Sequence, residues 1–328
     1  MLDERELQAV WYGGCAPSVW LRALSMLFGM LGGLRRRLYA MGLLPRVRLP
    51  VPVVVVGNIT AGGTGKTPLV IALIEALRAR GFNPGVVSRG YSGSAREPIL
   101  LDAQTTPELA GDEACLIRRA TQASVAIGRD RAAAARLLLA NGAVDVVVAD
   151  DGLQHYRLHR DVEICVIDGE RRFGNGRLLP AGPLREPMAR LACVDFRVCN
   201  GGAAQPGEAA MRLHGDTAVA LSDSTRRRPL REFAGQRVHA VAGIGNPPRF
   251  FASLRAAGIE TIEHPFPDHH FFADSDLSFG DAAPVLMTEK DAIKCAAFVQ
   301  ENWWSVPVRA ELPESFFDAV VEKLRRTP

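Results

Sequence analysis

The run from Val53 to Pro68, Val-Val-Val-Val-Gly-Asn-Ile-Thr-Ala-Gly-Gly-Thr-Gly-Lys-Thr-Pro, constrains this chain more than any other stretch. Four β-branched residues predict a buried strand, the glycines a turn, and the apolar residues from Leu69 to Leu77 a helix. Strand, glycine loop and helix in that order commit the chain to an α/β layer. They also put bare backbone N–H groups at a helix N-terminus, where these can ring a phosphate. Lys66 would then neutralise the β- and γ-phosphates, and Thr67 would offer its hydroxyl to magnesium. A purely structural glycine turn is the alternative, and it would not need Lys and Thr at those two places.

The strict pattern G-x-x-x-x-G-K-[ST] fails by one residue, because Thr60 stands where the first glycine belongs. The core Gly62-Gly63-Thr64-Gly65-Lys66-Thr67 resembles the GG-x-GK-T loops of deviant P-loop proteins, many of which carry a lysine where this chain has Ala61. Thr60, Ala61, Gly62, Gly63, Thr64, Gly65, Lys66 and Thr67 are the expected ATP-binding set. A partner carboxylate for Mg2+ is expected at the end of another buried strand, and Val144 to Gly152 supplies it. Asp150 and Asp151 follow its valines and alanine, at the carboxyl end where ligands bind in open α/β sheets. An Asp-Asp-Gly turn is the plainer reading, and the loop at Lys66 favours the metal.

With 328 residues, 48% hydrophobic and 23% charged, the chain has room for two domains of an ordinary globular protein. A net charge of +3 is too small to argue for a nucleic-acid partner, so none is expected, and nothing points to a protein partner. Six cysteines without a Cys-x-x-Cys pair read as reduced thiols, with Cys115, Cys165 and Cys193 expected in apolar surroundings, as in a cytosolic compartment. Trp20, Leu24, Leu27, Phe28, Leu31 and Leu34 recur at helical spacing, with Arg22, Ser25 and Gly29 on the other side. Arg35, Arg36 and Arg37 follow. The stretch is too short to span a bilayer; it either lies in a membrane interface or docks on the protein's own core.

From Val86 onward short apolar runs alternate with helical ones, which predicts a mostly parallel sheet with helices on both faces. Gly169 to Met188, rich in Gly, Pro and Arg, is a candidate functional loop. Met211 to Leu213 and Ala218 to Leu221 could pair as a two-stranded ribbon, and a second α/β unit begins at Val238. The expected division is a membrane-associated helical segment (1–45), a P-loop nucleotide-binding domain (46–208), a ribbon hinge (209–225) and a smaller C-terminal α/β domain (226–328).

Several passages in order resemble the tetraacyldisaccharide 4′-kinases of lipid A biosynthesis. They are Gly57 to Pro68, Ser88-Arg89-Gly90-Tyr91, Gly111-Asp112-Glu113, Asp150 to His155, Leu179 to Pro187, Gly243-Ile244-Gly245-Asn246-Pro247, Phe266 to His270, and Met287 to Ala292. The resemblance implies an ATP- and Mg2+-dependent kinase at the cytoplasmic face of a bacterial inner membrane. Its acceptor would be the 4′-hydroxyl of an acylated disaccharide 1-phosphate, and its two α/β domains would be joined by a ribbon. It implies Asp112 as the catalytic carboxylate and His269 as its support. It also sets Arg89, Tyr91, His155 and Arg185 around the substrate, with either Arg129 or Arg131, and adds Glu186 to Asp150, Asp151 and Thr67 at the metal. On the residues alone, Asp112 after Gly111 reads as a helix cap before it reads as a catalytic group. Thr288-Glu289-Lys290-Asp291 superficially resembles a guanine-specifying motif with its lysine one place late. A regulatory nucleotidase and a non-catalytic scaffold are the rival functions.

Overall fold

A computed structural model describes residues 4–326. Two sheets organise them. In the larger, the strands lie in the order Arg309–Glu311, Glu208–His214, Phe196–Asn200, Val162–Asp168, Val53–Gly57, Val146–Asp150, Pro84–Ser88, Val125–Ile127, Ile99–Leu100. All neighbouring pairs are parallel except the two at the edges, which are antiparallel. The valine run is central, and its pleat splits the core. Val54 and Val56 face the helix Lys66–Ala79 and the last helix, Glu314–Arg325, while Val53 and Val55 face the helix Arg131–Ala140. Burial on both faces is why the run reads as unbroken apolar residues instead of an alternation.

The smaller sheet has the order Arg227–Pro229, Thr217–Ala220, Trp303–Val306, Val285–Thr288, Arg237–Ala242, Glu260–Pro265, with parallel strands at its centre. The two strand pieces expected to pair as a ribbon do form strands, but not with each other. Glu208–His214 pairs with Arg309–Glu311, and Thr217–Ala220 with Trp303–Val306, both antiparallel. The connection between the sheets is therefore two-stranded, with its second strand supplied from ninety residues further on. The chain returns across it, so that Phe316, Phe317, Val320, Val321 and Leu324 pack in the core of the larger sheet. A hydrophobic period shows that a helix is amphipathic; it does not show which sheet receives it.

The helix Val19–Ala40 inverts the usual arrangement. Its small and polar side meets the protein: the Ser25 hydroxyl donates to the Leu178 carbonyl at 2.8 Å, and an added Cβ on Gly29 would come within 2.8 Å of the Leu178 side chain. Its apolar stripe faces out, with Trp20 81%, Leu24 52%, Leu27 51% and Leu31 60% exposed. The stripe therefore does not dock on the protein's own core. Among the described residues no helix is long and apolar enough to cross a membrane. Cys193, expected in apolar surroundings, is exposed, and all six cysteines are free.

Candidate active site

A cavity of about 1140 Å3 lies between the two sheets. Its walls are the segments that follow Val53–Gly57, Pro84–Ser88 and Val146–Asp150 in one sheet and Arg237–Ala242, Glu260–Pro265 and Val285–Thr288 in the other. Phe28, Leu31, Arg35 and Arg36 of the first long helix close one side.

The glycine loop is shaped by what a side chain would strike. Gly65 sits at φ +87°, and an added Cβ would come within 2.2 Å of the Asn200 side-chain nitrogen. No side chain caps the helix Lys66–Ala79, so its first N–H groups are left to a ligand. The Asn200 amide donates to the Thr64 carbonyl at 2.9 Å and accepts from Arg249 of the smaller domain, also at 2.9 Å. Gly245 of that domain comes so close that a Cβ there would lie 2.5 Å from the Gly63 nitrogen. Gly62, Gly63, Thr64, Gly65, Lys66 and Thr67 line the cavity as expected. Thr60 and Ala61 do not. Thr60 bridges to Leu184, and the Ala61 N–H donates to the Pro183 carbonyl at 2.7 Å, so the pair ties the long Gly169 to Met188 loop to the glycine loop.

Asp150 is 1% exposed; Ser88 donates to one of its oxygens at 3.5 Å, and the other oxygen has no hydrogen-bond partner. Burial, with Glu113 and Asp151 nearby, pushes its carboxyl up to about 7. Asp151 is the opposite: although burial works against ionisation, Lys66 at 3.4 Å and Arg185 at 3.1 Å bring it down to about 2. Its φ of +46° is left-handed, a strain of about 1–3 kcal/mol that turns the carboxylate into the cavity mouth. An orphaned buried carboxylate oxygen beside a hydroxyl-bearing loop fits a hard divalent cation that keeps several non-protein ligands. Among the described residues no three His, Cys, Asp or Glu side chains gather as a metal cluster, so a protein-only cage is not formed. Glu186, expected with these ligands, is instead held by Gln154, Tyr156, Arg190 and Arg36.

Asp112 joins the two domains. Gly111 is the residue before the helix Asp112–Thr121, at φ 84° and ψ 148°, where a Cβ would strike the Tyr91 carbonyl at 2.3 Å. Asp112 is thus the first helical residue, and its Oδ1 accepts the Glu113 N–H at 2.8 Å. Both of its oxygens also lie 3.0 Å from Nδ1 of His269, 157 residues away in sequence. Lys290 and Lys294 stand 3.8 Å from Oδ2. Burial alone would raise the Asp112 carboxyl; His269, Lys290 and Lys294 together hold it below the ordinary range. His269 is at φ +61°, and its ring packs on Tyr91 with centroids 4.8 Å apart. The neighbouring His270 is separated from it in role, pairing with Asp276 at 3.1 Å and stacking on Phe266.

The expected substrate residues line the same cavity. Both Arg129 and Arg131 line it; Arg129 is exposed, whereas Arg131 is buried and donates to the Asp151 carbonyl at 3.3 Å. Arg89 and Tyr91 are exposed at the rim. Burial, with Arg131 nearby, lowers His155 to about 4, which leaves its ring neutral, with Nε2 buried and unpartnered. Asn200, Gly245, Arg249, Lys290 and Lys294 were not singled out for the site from sequence. Gly243-Ile244-Gly245-Asn246-Pro247 does repeat the strand–glycine–helix order of the first loop, a signal that could have marked it. The guanine-like motif resolves as local structure: Thr288 caps the helix Glu289–Lys294, and Asp291 accepts the Gly243 N–H at 2.9 Å.

Sheet order, glycine loop and paired carboxylates together define a two-sheet α/β protein of the P-loop class. Residues 17–325 match the tetraacyldisaccharide-1-P 4′-kinase family, and the chain belongs to that family. It is 53% identical to a tetraacyldisaccharide 4′-kinase of Stenotrophomonas maltophilia over 96% of this chain and 95% of the relative. The corresponding protein of Xylella fastidiosa is 51% identical over the same shares. Among solved structures, an "apo" form of LpxK from Aquifex aeolicus in complex with ATP superposes with a TM-score of 0.77 at 28% identity, covering 92% of this chain and 98% of that one.

Proposed function

We propose that this chain transfers the γ-phosphoryl of ATP to the 4′-hydroxyl of a tetraacyldisaccharide 1-phosphate. The observation that carries the reading is the contact of buried Asp112 with His269, which lines the same cavity as the glycine loop. Phosphoryl transfer asks a protein mainly to position groups and neutralise charge. The loop from Gly62 to Thr67 cradles the phosphates, with Lys66 on the β- and γ-oxygens. Asp150, Asp151 and Thr67 would hold Mg2+, which would supply charge neutralisation at the phosphates. Asp112 orients the acceptor hydroxyl and takes its proton. Arg131, Arg185, Arg89 and Tyr91 steer the anionic disaccharide. Residues 46–208 with 312–325 form the nucleotide-binding body, and the two-stranded connection of 208–220 with 303–311 acts as the hinge. Labelled ATP, the purified lipid acceptor and thin-layer separation test this directly. Wild type should yield labelled lipid, and folded Lys66→Ala none; normal turnover in that variant ends the reading, and ATP hydrolysis without labelled lipid would favour a regulatory nucleotidase.

The outward stripe of Trp20, Leu24, Leu27 and Leu31, followed by Arg35, Arg36 and Arg37, suits the cytoplasmic surface of the inner membrane. Each large side chain buried there contributes up to ~1.5–3 kcal/mol, so the loss of two should shift the partition strongly. Leu24→Gln with Leu27→Gln should move the protein from membrane to soluble fraction. Both side chains already face out, so its melting temperature should stay unchanged. Unaltered sedimentation with liposomes would remove the membrane role.

A further inference from the structure

Lys290 has no role in the reading above, yet its ammonium is enclosed at the Asp112–His269 contact. It lies 3.1 Å from Asp268 Oδ1, 3.5 Å from Glu113 Oε1 and 3.4 Å from His269 Nε2. An ammonium has three donors and no acceptor, and three acceptors surround this one. Burial disfavours its charge, but Glu113, Asp112 and Asp268 outweigh burial and raise its pKa above that of an ordinary lysine. It stays a cation.

The consequence falls on the imidazole. Nδ1 of His269 faces only the Asp112 carboxylate, an acceptor, so that nitrogen carries a proton. Nε2 faces the Lys290 ammonium at 3.4 Å, which repels a proton there. The remaining acceptor near Nε2, Asp268 Oδ2, is 3.7 Å away, beyond hydrogen-bond reach, and the other oxygen of Asp268 already accepts from Lys290. Tyr91 contributes its ring to the third side.

We propose that Lys290 is a positioning residue that fixes His269 as the neutral Nδ1–H tautomer, so that the imidazole orients the Asp112 carboxylate without weakening it as a base. An imidazolium at this place would set a further full positive charge against the Asp112 carboxylate, which its cationic neighbours already hold below the ordinary range. The carboxylate would then be a weaker acceptor for the 4′-hydroxyl proton. With Nε2 kept bare, His269 only donates a hydrogen bond to Asp112 and adds no positive charge to it. This rests on the assignment of Asp112 as the base.

Two-bond 1H–15N spectra of the full chain, labelled at histidine and held in detergent, read the tautomer. Loss of signals in His269→Gln assigns the ring. Wild type should show a protonated Nδ1 and a bare Nε2 at pH 8. Lys290→Met should move a proton onto Nε2 and lower kcat by ~10–100-fold, the usual worth of a partner on the far ring nitrogen. The KM for ATP should change little, and Lys290→Arg, another obligate donor, should restore the wild-type spectrum and part of the rate. A wild-type ring protonated at Nε2 overturns the proposal without any variant, and so does a folded Lys290→Met with the wild-type spectrum and kcat. Should Lys290→Met fail to fold, the wild-type spectrum and Lys290→Arg still decide. An active Asp112→Asn would instead remove the base assignment, whatever the spectrum showed.

Discussion

Asp112 and Asp150 are almost equally buried, at 2% and 1% exposure, but their charges are met in opposite ways. Asp112 is surrounded by groups of the smaller domain, His269, Lys290 and Lys294, and is held ionised. Asp150 has a serine on one oxygen and nothing on the other, and burial with two further carboxylates pushes its pKa up against the weaker pull of Lys66 and Arg131. A buried carboxylate without a cation is costly, and the usual resolutions are protonation or a metal. The chain completes Asp112 from within itself by bringing its domains together. Asp150 waits for a cation from outside.

The largest effect should come from neutralising each carboxylate in turn. Asp112→Asn is expected to cut kcat by ~10²–10⁴-fold, at any Mg2+ concentration, with ATP affinity nearly unchanged. Asp150→Asn is expected to raise the Mg2+ needed for half-maximal rate by at least ~10-fold, with part of the rate recovered at high Mg2+. Initial rates across a Mg2+ titration separate the two, and a metal-rescued Asp112→Asn would erase the contrast. His269→Ala added to Asp112→Ala should cost scarcely more than the poorer single variant, because the two residues act as one unit. Multiplicative losses would mean that the imidazole acts on something other than Asp112.

The two halves of the site were not equally legible. Strand, glycine loop, Lys66 and Thr67 are contiguous, so the local pattern was enough to place them. Asp150 and Asp151 were readable for the same reason, as a polar pair ending an apolar strand. Asp112 was ambiguous, because the residue after Gly111 reads as a helix cap until something 157 residues away touches it. Lys290 has no local signature of function, and Gly245 has only the strand–glycine–helix order around it. Each becomes part of the site only through the packing of one domain on the other, and sequence period carries no information about that approach. The ribbon was misassigned for a related reason: strand propensity identified Met211 to Leu213 and Ala218 to Leu221, but partners are set by the return of 303–311, far along the chain.

A smaller effect should appear in stability, with opposite signs for the two carboxylates. Without Mg2+ at pH 8, Asp150→Asn removes a buried charge that faces Glu113 and Asp151, so its urea midpoint should rise. Asp112→Asn takes a carboxylate from His269 and two ammoniums and should lower the midpoint, with a loss of ~1.5–3 kcal/mol of unfolding free energy, the range of a hydrogen bond to a charged group. The pH dependence follows from the depressed carboxyl of Asp112. Its stabilisation is fully present above the unfolded value, about 4, and is lost as pH falls through the lower folded value. Wild type should therefore lose its advantage over Asp112→Asn only below about pH 4. Urea unfolding at a series of pH values between 3 and 8 reads this directly. A difference that already closes between pH 8 and 5 would show that Asp112 is not held ionised by its cations, and the contrast with Asp150 would fall with it.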